Sequence, residues 1–204
     1  LVFAGTRVEI AELSGAYGAG PFRASGWIDL DRDAPALDLR FAGQEILLAR
    51  SSGLRLRADC DLRVHGAPDA LLAEGELALS QGRYTRNIER LAGLGGGAEP
   101  PPRSGRGIQL FSLREEPLAS LGFDVRVVSR DPFEIRNNVL RGALRPDVRL
   151  IGSGRAPELV GTVYVDPSRV SLPATNLDIN SGTITFTRED PLVPRLDVFG
   201  STRM

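Results

Sequence analysis

Apolar and polar side chains alternate with a period of two through almost the whole chain. In Leu54-Arg-Leu56-Arg-Ala58-Asp-Cys60-Asp-Leu62-Arg-Val64-His65 every even position is apolar and every odd one polar. That is the pattern of a β-strand wetted on one side, because successive side chains of an extended backbone point to opposite faces. The same alternation marks Val8/Ile10, Ile28/Leu30, Leu37/Leu39/Phe41, Leu77/Leu79, Phe123/Val125/Val127, Val148/Leu150, Leu159/Val163/Val165, Val170/Leu172, Leu177/Ile179, Ile184/Phe186 and Leu196/Val198. Helical spacing is confined to residues 87–94, where Ile88 and Leu91 could share a face of one or two turns. Clusters of Gly, Pro and Asp at residues 15–21, 31–35, 66–69, 166–168 and 188–194 read as turns. Strands therefore recur roughly every ten residues.

The chain also repeats itself. Residues 37–86 align without a gap on residues 123–172, a constant offset of 86. Identical pairs at that offset are Asp38/Asp124, Arg40/Arg126, Arg50/Arg136, Leu54/Leu140, Arg55/Arg141, Asp61/Asp147, Arg63/Arg149, Gly66/Gly152, Ala70/Ala156, Gly75/Gly161 and Arg83/Arg169. Similarity at a fixed period marks stacked units, none of which can bury its apolar face alone. Residues 26–32 resemble 182–188, and each is followed by a Pro and a Leu-Asp-aliphatic triplet, Leu37-Asp38-Leu39 and Leu196-Asp197-Val198. The last triplet reads as the start of a further unit, so the expectation is a piece that begins and ends inside a longer array. Within it, residues 1–36 form a partial unit, 37–92 the first repeat, 93–107 a flexible Gly- and Pro-rich loop, and 108–204 the second repeat and the start of the next. All belong to one continuous β-domain.

A sheet that is apolar on one face must cover that face, as a sandwich, a closed barrel or a folded trough does. Lengthwise repetition favours the trough, since each added unit extends the same apolar surface. The expected fold is all-β: an elongated curled sheet, a U-shaped trough of stacked repeats with a hydrophobic interior. Its lining is expected from Leu37, Leu39, Phe41, Leu54, Leu56, Leu62, Val64, Leu77, Leu79, Phe123, Val125, Val127, Val148, Leu150, Leu159, Val163, Val165, Val170, Leu172, Leu177, Ile179, Ile184, Phe186, Leu196 and Val198. Such a gutter would shield lipid acyl chains at about 0.8 kcal/mol per buried methylene, close to what a bilayer offers, so lipid could slide without a deep trap. Strand direction does not follow from alternation.

Composition narrows the chemistry. With 204 residues and 42% hydrophobic content the chain can bury a sizeable surface. The 25 basic residues are all Arg, against 26 acidic ones, for a net charge of -1. Arg without Lys is read as a codon-composition bias rather than as a choice of phosphate geometry. A near-neutral balance argues against nucleic acid as a partner. One cysteine, Cys60, cannot form an internal disulfide and falls on the apolar side of its strand as a small buried hydrophobe. The lone His65 offers neither a histidine-paired nucleophile nor a zinc cluster. Asp29-Leu-Asp31-Arg-Asp33 imitates the opening of a calcium loop but has Ala34 and Arg40 where Gly and Glu are needed. Gly93–Gly97 lacks the Lys-Ser/Thr of a phosphate loop. Trp27 points away from Ile28 and Leu30, toward a partner or a neighbouring strand, or caps a turn. The expectation is therefore no catalytic residue, no metal and no cofactor.

The segment Pro157-Glu-Leu159-Val-Gly161-Thr-Val163-Tyr-Val165, then Val170-Ser-Leu172-Pro173, Ile179-Asn-Ser181-Gly182-Thr-Ile184-Thr-Phe186 and Pro194-Arg-Leu196-Asp197-Val198 resembles the C-terminal domain of the TamB family. The resemblance covers about residues 120–204 closely and 37–86 through the repeat, while 1–36 carry only alternation. It implies an envelope protein of diderm bacteria, anchored in the inner membrane and crossing the periplasm to the outer membrane. It also implies an Omp85-type (TamA-like) outer-membrane barrel partner, a role in outer-membrane protein assembly and secretion, and kinship with AsmA-like proteins, which carry phospholipid along a β-groove.

Three functions compete. The first is a hydrophobic β-groove conducting phospholipid between inner and outer membrane. The second is a scaffold for outer-membrane protein assembly that engages client or barrel strands on a sheet edge. The third, a parallel β-helix enzyme acting on polysaccharide, fits poorly. Its turns would be shorter than an 86-residue unit, and no acidic set with a basic partner is clustered in the sequence.

Overall fold

The structure, a computed structural model, describes residues 2–31, 33, 35–88, 115, 118–172, 175–189 and 193–203. Thirteen strands form one sheet: β1 (Val2–Ala4), β2 (Arg7–Tyr17), β3 (Gly20–Asp29), β4 (Ala36–Ser51), β5 (Leu54–Gly66), β6 (Leu72–Tyr84), β7 (Gly122–Ser129), β8 (Phe133–Arg136), β9 (Leu140–Ser153), β10 (Pro157–Val165), β11 (Ser168–Ser171), β12 (Asn176–Phe186) and β13 (Arg195–Arg203). β7 and β8 lie end to end between β6 and β9, and β10 and β11 end to end between β9 and β12. No helix occurs among the described residues. The all-β trough expected from the alternation is the fold of this chain.

Two expectations change in detail. The turn read at residues 15–21 shrinks to Gly18 and Ala19, at φ 57° and 70°. Both are left-handed, the geometry of a tight two-residue hairpin, so β2 and β3 run up to the loop. Of the helical segment read at 87–94, only residues 87 and 88 are described, and neither is helical. The loop read at 93–107 lies outside the described residues.

The 86-residue repeat is a three-row unit. β4 becomes β7 plus β8, β5 becomes β9, and β6 becomes β10 plus β11. Where the first unit carries a bulge, the second has a break. The register of β4 slips between Gly43 and Ile46, and 86 residues later lies the gap between β7 and β8. The slip between β5 and β6 beside Ser80 matches the gap between β10 and β11. β12 slips between Ile179 and Ser181. Extra unpaired residues bend a strand, and these irregularities fall on one line across neighbouring rows, so they crease the sheet along its length.

Repeated identities have steric causes. At Gly75 (φ +132°) a Cβ would lie 2.1 Å from the Asp61 carbonyl oxygen, and at Gly161 (φ +128°) one would lie 2.6 Å from the Asp147 carbonyl oxygen. Only glycine lets the backbones approach so closely at such a φ. Asp38 and Arg63 pair across β4 and β5, with Nη2 2.7 Å from Oδ2. Asp124 and Arg149 repeat that pair across β7 and β9, with Nη2 2.6 Å from Oδ2.

Every neighbouring pair of strands is antiparallel except the β6–β7 and β6–β8 pairs, which are parallel. A three-row unit ends pointing the way it began, so translating it sideways forces a parallel seam. A parallel pair needs a long crossover, and the chain supplies one between Tyr84 and Gly122.

Candidate functional site

Residues directly opposite in a ladder share a face, so the register assigns every strand residue to one side. One row runs Ala24, Phe41, Leu62, Gly75, Val125, Leu150, Leu159 across β3 to β10. The next runs Gly43, Cys60, Leu77, Val127, Val148, Gly161, Phe186 across β4 to β12. From β3 to β12 this surface crosses seven strand spacings, about 34 Å. Of the lining residues expected from the sequence, all except Leu172 lie in strands on this one face. Leu172 follows β11 in a turn, its N–H donating to the Thr175 carbonyl at 2.9 Å.

The face is half-covered rather than sealed. Ile46, Leu79, Val125, Val148 and Phe186 are buried, yet among the described residues no large side chain is completely so. A sandwich core buries large side chains fully; an open trough cannot. Leu196 and Val198, on the edge strand β13, are 63% and 44% exposed. Alternation missed several residues of the same face. Ile46 is hidden by the bulge before it, Phe22 directly follows the segment 15–21 read as a turn, and Phe133 and Ile135 belong to a strand too short to show a period. Phe22 stacks on Phe41 at 5.3 Å between ring centroids. Cys60 is buried in the middle of the face, where loss of hydration pushes its thiol pKa up.

The opposite face is a lattice of charges. Arg63 joins Asp38 and Glu74, Arg126 joins Glu76 and Asp147, Arg145 joins Asp166 and Arg130 joins Asp59. The hydrogen bond from Arg63 holds the Asp38 carboxyl below the usual carboxylate range, and Arg149 does the same for Asp124. Trp27 lies here against the neighbouring strand, with the Arg7 guanidinium 3.8 Å from the ring centroid. The aspartates of the calcium-like segment cap turns instead. Asp29 Oδ1 accepts from the Asp31 N–H at 3.1 Å, and Asp31 Oδ1 from the Asp33 N–H at 2.9 Å. His65 Nε2 lies 3.2 Å from Glu74. Among the described residues no group of three or more His, Cys, Asp or Glu is placed to hold a metal ion. No helix there is long and apolar enough to cross a membrane.

A long sheet, oily on one side and ionic on the other, matches the family model of the TamB C-terminal domain over residues 11–204. The match takes in most of the N-terminal segment that shows only alternation. Neither a curated protein nor a solved structure matches the chain significantly. With the model matched over nearly its whole length, the chain belongs to the TamB family, envelope proteins of the translocation and assembly module.

Proposed function

We propose that the apolar face is a conduit that shields phospholipid acyl chains while they pass through the periplasm between the inner and outer membranes. The observation that carries this reading is the set of unbroken apolar rows from β3 to β12, half-covered rather than sealed. Equivalent shallow sites in series suit a conduit. Each methylene laid on the face recovers about 0.8 kcal/mol, so a chain moves along it with little net change. The test is phospholipid mass spectrometry on the protein purified from envelopes, with Leu150→Asp and Val163→Asp as variants. Bound phospholipid in the wild type and its loss in both variants are expected; equal retention in all three overturns the conduit.

A second reading is supported by β13, which has one hydrogen-bonded neighbour among the described strands and carries Phe199 at 70% exposure. Its free edge could pair with a strand of an outer-membrane client or of an Omp85-type barrel. Photo-cross-linkers at Phe199 and at Leu150 separate the two. Capture of a barrel protein from Phe199 favours assembly, and capture of lipid from Leu150 favours the conduit. Both activities can reside in one molecule.

A further inference from the structure

All five repeated arginine identities place arginines side by side, and three of them fall together at one end of the strands. Arg50 pairs directly with Arg55, and Arg55 with Arg83. In the second unit Arg136 pairs with Arg141, and Arg141 with Arg169. All six lie on the polar face at the same ends of their strands, one position from apolar residues such as Leu54 and Leu140. Together they line one lip of the trough. Like charges directly opposite one another disfavour a sheet, and here the arrangement occurs twice. Glu134 meets Arg83 and Arg136, and Asp178 meets Arg169. Arg50, Arg55 and Arg141 are exposed and make no ion pair with any described residue. The lip thus has six arginines against four carboxylates, Glu134, Asp178, Asp131 and Asp166, the last of them held by Arg145. Toward the other lip Arg40 faces Arg63 and Arg126 faces Arg149, but there Asp38 and Glu74 meet Arg63, Glu76 and Asp147 meet Arg126, and Asp124 meets Arg149, which leaves only Arg40 without an ion pair to a described residue.

The surface between the arginines is indented. A cleft of about 570 Å³ contains Arg55 and Arg83, a second of about 880 Å³ contains Arg136 and Arg141, and a third of about 760 Å³ contains Arg141 and Arg169. The first and second share Glu134, and the second and third share Arg141, so they run together along the lip from β5 to β12. Guanidinium forks match phosphate oxygens two at a time.

Resting on the conduit reading above, we propose that this arginine lip is a headgroup rail. It recognises the phosphates of anionic phospholipids whose acyl chains lie on the apolar face, and so selects anionic over zwitterionic lipid. The arginine-only composition, read from the sequence as a codon bias, acquires here a position and a task. The three-row repeat renews the site about every 14 Å, three strand spacings.

The test is lipid uptake by the whole chain from vesicles of equal phosphatidylglycerol and phosphatidylcholine, with bound lipid identified by mass spectrometry. Wild type should enrich phosphatidylglycerol roughly tenfold, as expected of charge-assisted contacts to phosphate. R55Q/R141Q should take up as much total lipid with that enrichment lost. R40Q, which removes an exposed arginine opposite Arg63 and away from the arginine lip, should keep it. Unchanged enrichment in R55Q/R141Q overturns the rail while leaving the conduit standing; no uptake of either lipid overturns the conduit and the rail with it. Calorimetry with inorganic phosphate separates the sources. Saturation at micromolar phosphate, abolished in R55Q/R141Q, overturns the lipid rail in favour of a soluble-anion site, whereas no measurable heat supports it.

Discussion

Replacing Gly75 with Ala tests the close packing that makes the repeat. The residue sits in β6 at φ +132°, and an added Cβ would lie 2.1 Å from the Asp61 carbonyl oxygen and 3.0 Å from the Leu62 Cα. Two costs follow. Holding a non-glycine residue at that φ costs about 1–3 kcal/mol. Relieving the contact requires β5 and β6 to part by nearly 1 Å, because real Cβ atoms almost never come within 3.0 Å of another atom. That weakens the flanking ladder bonds at roughly 0.5–1.5 kcal/mol each. With two such bonds the sum is about 2–6 kcal/mol, or a fall in Tm of roughly 4–24 °C for a domain this size. Gly5 is a reference that carries a conformational cost, the milder one of the left-handed helical well, without the contact. It too has a left-handed φ, +66°, but a Cβ there meets nothing within 4 Å. Thermal unfolding followed by far-UV circular dichroism should rank Gly75→Ala well below Gly5→Ala, with Gly161→Ala close to Gly75→Ala. If Gly5→Ala and Gly75→Ala lower Tm equally, the close approach of strands is not what keeps glycine in the repeat.

Other consequences are as open to measurement. Asp38→Asn should destabilise the chain at pH 7. Its folded-state pKa lies below the ordinary 3.8, so the carboxylate's contribution is present above that value and is lost as the pH falls through the folded pKa. Urea titrations of wild type and variant should therefore draw together as the pH falls below 3.8 toward the folded pKa, and a gap that does not shrink on acidification refutes the assignment; Asp124→Asn should behave alike. Cys60 is 7% exposed, and burial raises its pKa, so a maleimide should label it only after denaturation; rapid labelling of the folded chain contradicts that burial. Arg7→Gln removes the cation over the only Trp, Trp27, and should shift its fluorescence emission and cost about 0.5–1 kcal/mol of stability. An unchanged spectrum rejects that contact.

The sequence by itself determined which residues share a face. With a period of two, Leu54, Leu56, Leu62 and Val64 must lie on one side of β5 and Arg55 and Arg63 on the other, whatever the strand pairs with. Identity at an offset of 86 likewise makes the two units equivalent at the level of sequence. Alternation fails where an extra residue shifts the phase, and so it missed Ile46 behind its bulge and the short strand with Phe133 and Ile135. Pairing belonged to tertiary structure, because a strand's pattern states what it buries but not which neighbour it bonds or in which direction. The parallel β6–β7 seam, the crease where bulges and breaks align, and the meeting of Arg55 with Arg83 and of Arg141 with Arg169 all depend on register between residues far apart in the chain. Local sequence cannot specify that register, since it is set by which rows of side chains fit together once the strands lie side by side.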